Sequence, residues 1–299
     1  MKLHYRILGE GPSVLIFHGL FGMSDNWQSF GRELASLGYR VILADLRNHG
    51  HSPHDPEFSY AAMAGDIEEL TLDACNGETP FAIGHSMGGK CIMKSLENRP
   101  ELFRKAVVVD IAPWLYPVHH GEIIDALNSI DLQTLSSRNE ADVHLALRLP
   151  EAAVRQFLLK NLYRSDGGFA WRFNLEAITA HIGEVGAATW SEKKVLTPLL
   201  FIRGTNSSYI DPLRMPEIYS HFPGAVLKEI SGAGHWVHAD RPLDLLEAVT
   251  VFFHEPNRQA EAEESARGII SIRGTSASPE YPAAYTPERG QENRRWGRR

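Results

Sequence analysis

The sequence predicts an α/β fold: a mostly parallel sheet with helices packed on both faces. Short apolar runs alternate with longer stretches of helical periodicity, the pattern of strands joined by crossover helices. Several runs stop at a small or polar residue, as at His18-Gly19, Asp45, Gly84 and Asp110, where loops that carry function can begin. With 299 residues, 43% apolar and 22% charged, the chain has globular composition and can bury a core without disulfides or metal.

Taken in order, residues 1–7 alternate as a first strand and lack the apolar run of a signal peptide. Val14-Leu15-Ile16-Phe17 is a buried strand ending at His18-Gly19. A helix over about 26–37 is stopped by Gly38, and 41–45 is the next strand. Apolar residues at 60, 63, 67, 70 and 74 place a helix over 60–75. Residues 80–84 form a third strand, 87–98 the helix after it, closed by Pro100, and 106–110 a fourth strand. From Trp114 to about Lys194 the periodicity is helical, with no strand-like run. Strands resume at 198–204 and 225–230, and a last helix spans about 242–253. The expected organisation is one domain over 1–254. Its core, 1–113 and 195–254, is interrupted by a helical lid over 114–194, a size that marks a substrate-covering insertion. Residues 255–299 are polar and weakly periodic, the composition of a disordered tail.

The net charge of −7 and pI near 6.1 provide no global positive field for nucleic acid or anionic lipid. No stretch approaches the roughly 20 apolar residues of a membrane span. Two cysteines, Cys75 and Cys91, suit a reducing compartment, so a cytoplasmic protein is expected. Cys91, on the 87–98 helix, reads as a small core residue.

The chemistry concentrates at Gly84-His85-Ser86-Met87-Gly88, between a strand and a helix. A serine on such a turn takes a strained backbone, so its flanks must be small, and Gly84, Gly88 and Gly89 meet that need. The alternative is a glycine-rich turn whose serine caps the helix. A serine hydroxyl needs a base. His235, in Gly232-Ala233-Gly234-His235-Trp236, lies after the last strand and before the last helix, and His238 is its nearest rival. The third member is an acid. No carboxylate lies in 203–208 and Asp211 comes late, whereas Asp110 ends the strand next to the serine's strand, within reach of the histidine. An aspartate there could instead cap the turn at Ala112-Pro113. Two backbone N–H groups should hold a developing oxyanion: Met87, directly after the serine, and Leu20 in His18-Gly19-Leu20-Phe21-Gly22, with Phe21 as the alternative.

These segments, with Asp45-Leu46-Arg47-Asn48-His49-Gly50, Asp110-Ile111-Ala112-Pro113, Trp171-Arg172-Phe173-Asn174 and Gly204-Thr205-Asn206-Ser207, resemble the bacterial YbfF-type esterases of the α/β-hydrolase superfamily and their animal abhydrolase-domain relatives. The likeness runs from residue 3 to about 253 and omits the tail. The resemblance implies an α/β-hydrolase fold, Asp110 as the acid, and hydrolysis of a small-molecule acyl ester or thioester by Ser86, Asp110 and His235 without a cofactor. Other triad enzymes, a carbon–carbon bond hydrolase or a cofactor-free perhydrolase, share the same residues, and a silent binding module could use the same scaffold. His49, His51 and His54 fit a strand-to-helix connection better than a metal site. His119-His120 reads as surface, and Trp171 and Phe173 as either an acyl wall or lid packing.

Overall fold

The computed structural model of the chain describes residues 1–117 and 120–256. The strands of the main sheet are β1 (Tyr5–Leu8), β2 (Ser13–Phe17), β3 (Arg40–Ala44), β4 (Phe81–His85), β5 (Lys105–Val109), β8 (Leu199–Gly204) and β9 (Ala225–Ile230). Their spatial order is β1-β3-β2-β4-β5-β8-β9; β1 runs antiparallel to β3 and every other pairing is parallel. The helices that return the chain between strands are α1 (Gln28–Ser36), α2 (Tyr60–Ala74), α3 (Met87–Asn98) and α9 (Met215–His221), followed after β9 by α10 (Val237–Asp240) and α11 (Pro242–His254).

Period-two alternation along the strands sends side chains to both faces. Val14, Ile16, Val41, Leu43, Ile83, Val107, Val109 and Ile202 pack against α1 and α11. Leu15, Phe17, Ile42, Ala82, Val108 and Phe201 face α2, α3 and α9. Strands buried on both faces are almost continuously apolar, which is why the sequence reads as unbroken runs.

Register sets the site. Phe17 pairs with Gly84, His85 with Val109 and Val109 with Ile202, so residues 18, 86 and 110 leave three neighbouring strands at the same edge. Between β5 and β8 lie α4 (Gly121–Asn128), α5 (Arg138–Ala146), α6 (Ala152–Leu159), α7 (Leu175–Ala180) and α8 (Ile182–Gly186). Between α6 and α7 the chain departs from the all-helical expectation. Strands β6 (Leu162–Ser165) and β7 (Gly168–Trp171) form an antiparallel hairpin, Ser165 opposite Gly168, across the two-residue loop Asp166-Gly167. That dipeptide is a hairpin signal, but each flanking strand has only four residues, too few to stand out against the helical segments around them. The first predicted helix begins with a 3-10 turn, Ser24–Trp27, before α1. The expected tail lies outside the described residues from 257 onward.

Candidate active site

Ser86 follows β4 with φ +52° and ψ −118°, a conformation that a non-glycine residue adopts at a cost of about 1–3 kcal/mol. Its hydroxyl does not cap α3, which removes the helix-cap alternative. The flanking glycines are required by contact: a Cβ on Gly88 would lie 2.5 Å from the Phe17 carbonyl oxygen and 2.7 Å from that of His18. Asp110, Phe21 and Asn48 also have positive φ, so four of the five such non-glycine residues among those described sit on loops at this edge of the sheet.

Asp110 is fully buried. Its Oδ2 accepts from His235 Nδ1 at 2.8 Å and from the Ser207 hydroxyl, and its Oδ1 accepts from the Gly204 N–H at 3.0 Å. The carboxylate does not cap the next turn; the Ala112 N–H donates instead to the Tyr116 hydroxyl at 2.9 Å. With Nδ1 of His235 committed as donor, Nε2 on the far side of the ring is the lone-pair acceptor of the neutral imidazole. Tyr209 stacks on that ring at 4.0 Å between centroids. His85 Nε2 donates to the His235 carbonyl at 2.9 Å, tying the residue before the serine to the histidine's backbone. Burial holds the His85 imidazole well below its usual range, so it stays neutral. The rival His238 stacks on Trp27 at 4.3 Å, a packing role.

The loop after β2 is braced by two buried histidines. His18 Nε2 accepts from the Leu46 N–H at 3.0 Å and its Nδ1 donates to the Gly19 carbonyl at 2.8 Å. His49 Nε2 accepts from the Phe21 N–H at 3.1 Å and its Nδ1 donates to the Arg47 carbonyl at 2.9 Å. Both nitrogens of His49 are thus engaged, and desolvation lowers its pKa to about 3. The Phe21 amide, the alternative oxyanion donor, is therefore already engaged by His49. Met87 is the first residue of α3, whose N–H has no partner within the helix. Among the described residues no three potential metal-ligating side chains gather at one point.

Ser86 and His235 open onto one cavity of about 270 Å³, lined by Leu20, Trp27, Phe157 and Trp236 among others. His120, expected at the surface, also lines it. A second cavity, of about 20 Å³, also borders Ser86, with Met87, Ile111 and Tyr60 in its lining. Neither is lined by Trp171 or Phe173. Those rings stack on each other at 5.2 Å, and Phe173 meets Phe21 edge-on at 5.1 Å. Asn174 donates from its backbone to the Asn48 carbonyl at 2.8 Å, so the two segments of the sequence resemblance at 45–50 and 171–174 hold each other. Sequence reasoning missed His85, His49 and Ser207 as supports, since nothing in their residue types or spacing signals these contacts.

A family model for the α/β-hydrolase fold matches residues 12–242. The chain is 38% identical over 263 residues to the mouse (Mus musculus) sn-1-specific diacylglycerol lipase ABHD11, covering 84% of this chain and 85% of that protein. It is 37% identical over 251 residues to Esterase YbfF of Escherichia coli K12, covering 82% and 94%. A solved marine microorganism esterase superposes with a TM-score of 0.81 at 38% identity, over 84% of this chain and 99% of that one. The parallel sheet, the serine on its strained turn and these likenesses lead to one conclusion: the chain belongs to the α/β-hydrolase family and is a hydrolase.

Proposed function

We propose that the chain is a serine esterase that cleaves small-molecule carboxylic esters or thioesters through an acyl-enzyme. The observation that carries this is the bond from His235 Nδ1 to the fully buried Asp110, which leaves Nε2 as a base beside the cavity that Ser86 faces. Ser86 Oγ attacks the acyl carbonyl as His235 takes its proton, and the Leu20 and Met87 amides receive the oxyanion, each contributing about 3 kcal/mol. His235 then protonates the leaving alcohol or thiol. A water activated by the same ring hydrolyses the acyl-enzyme. Asp110 fixes the tautomer and steadies the imidazolium. None of these steps calls for a cofactor.

Residues 114–194 act in this reading as a cap, since Ile123, Val154, Phe157 and Leu158 line the cavity from that segment. The two free buried thiols, Cys75 and Cys91, support a reducing compartment such as the cytoplasm. Among the described residues no helix is long and apolar enough to cross a membrane. The test is turnover of p-nitrophenyl acetate and labelling by a fluorophosphonate. Wild type should do both, and Ser86→Ala should lose both, with kcat falling by about 10⁶. Wild-type turnover in Ser86→Ala ends the proposal, and an unlabelled, inactive wild type points to a silent module on the same scaffold.

A further inference from the structure

Ser86 borders two cavities of very unequal size. Resting on the serine-esterase reading, we infer that the enzyme takes esters with a short acyl group and a long apolar alcohol. The cavity of about 270 Å³ is bordered by His235, with Trp27, Phe157 and Trp236 in its wall. The one of about 20 Å³ is bordered by Met87, with Ile111, Tyr60 and Val185. Ser86, Leu20, His120 and Tyr209 border both; His235 borders only the larger and Met87 only the smaller.

The chemistry assigns each cavity a half of the substrate. When Ser86 Oγ bonds to the carbonyl carbon, its proton passes to His235 Nε2. As the bond from that carbon to the alcohol oxygen breaks, the same proton moves to the departing oxygen. The alcohol must therefore leave from the side that His235 borders, and its chain extends into the large cavity. The oxyanion turns to the Leu20 and Met87 amides. The fourth substituent of the tetrahedral carbon, the acyl chain, falls on the side away from His235, into the small cavity. Water then adds to the acyl carbon, gives its proton to His235, and expels the acid as Ser86 recovers that proton.

The small cavity has room for one or two groups the size of a water molecule, enough for an acetyl methyl. Its walls are pinned. The Tyr60 hydroxyl donates to the Val185 carbonyl at 2.8 Å. Lys90, on the same helix as Met87 and buried, donates from Nζ to the Trp114 and Gly186 carbonyls at 3.0 and 3.1 Å. Widening this side would leave those polar groups unpaired, whereas the large cavity is walled by apolar side chains such as Val154 and Phe157 that can shift.

Hexyl acetate and ethyl hexanoate are isomers that differ only in which side of the ester carries the chain. Acid release should give hexyl acetate a kcat/KM at least about tenfold higher, the penalty of methylenes that do not fit. Val185→Ala should shrink that ratio by raising turnover of ethyl hexanoate, and Phe157→Ala should raise KM for hexyl acetate. Equal or faster hydrolysis of ethyl hexanoate overturns the inference, as does a failure to cleave hexyl acetate by an enzyme that still cleaves other esters. Activity on either isomer that persists in Ser86→Ala would instead overturn the serine-esterase reading beneath it.

Discussion

The edge of the main sheet and the segment between β5 and β8 are built by different rules. At the edge, Ser86, Asp110 and the loop at 18–22 each follow a strand whose neighbours fix it in register, and the strained residues gather there. The intervening segment is a chain of helices of five to nine residues and one hairpin, joined to the edge by particular hydrogen bonds such as Asn174 to Asn48 and Asn161 Nδ2 to the Phe21 carbonyl at 2.8 Å. Rigid strand ends suit groups that must meet within fractions of an ångström, while short packed pieces suit a wall whose shape selects the substrate. The contrast separates rate from selectivity. Changes at the edge should lower kcat for every ester alike, and changes in the segment should reorder esters.

After the loss of Ser86 itself, the largest expected effect falls on the aspartate. Asp110→Asn keeps the shape but presents an amide to His235 Nδ1, so the ring takes the wrong tautomer, and kcat should fall by about 10⁴ for all esters. The Ser207 hydroxyl and Gly204 N–H already donate to that side chain, which leaves the amide's own donors poorly matched as well. Steady-state kinetics on two esters of different acyl length checks it. A loss confined to one ester would place Asp110 with selectivity and blur the division, and an effect seen only on substituting Asp211 would show the wrong carboxylate.

A smaller effect should follow from the brace behind the proposed oxyanion loop at 18–22. His49→Leu leaves the Phe21 N–H without its acceptor and lets the loop that carries Leu20 drift, which should lower kcat by up to about 10²-fold with little change in KM. His49→Gln, which can still accept from that N–H, should recover most of the loss. Equal losses in the two variants would mean that His49 matters for packing alone.

How much of this was legible in the sequence follows the same division. Each strand of the sheet is buried on both faces or alternates, so apolar runs disclosed it. Gly84, Gly88 and Gly234 marked where the chain must turn tightly around Ser86 and His235. Asp110 was reachable by the absence of an acid at 203–208. The supports were not, because they join residues remote in the chain, His85 to His235 and Ser207 to Asp110, and neither type announces such a contact. The hairpin at 162–171 was hidden by its short strands, although Asp166-Gly167 was in view. Which side chains line which cavity depends on how short helices dock, and periodicity carries no record of that.

The smallest effect is on stability, and its sign follows from burial. His18, His49 and His85 are buried at the sheet edge with lowered pKa, desolvation being the leading cause for each and His49 reaching about 3. Below pH 6.5 the unfolded chain takes up protons on these rings while the folded one does not, so stability should fall as pH drops from 6.5 toward 3. Each ring contributes up to about 1.4 kcal/mol per pH unit in that window. Asp45, whose carboxylate charge acts on both rings, opposes this at His18 and at His49, while the charges of His18 and His54 add to it at His49. Urea unfolding of wild type at pH 7.5 and 5.5 should show the loss, and His49→Gln should show it reduced by about 1 kcal/mol. An identical pH dependence in that variant would mean that the imidazole of His49 is charged in the fold, and the Phe21 N–H would then have no acceptor there.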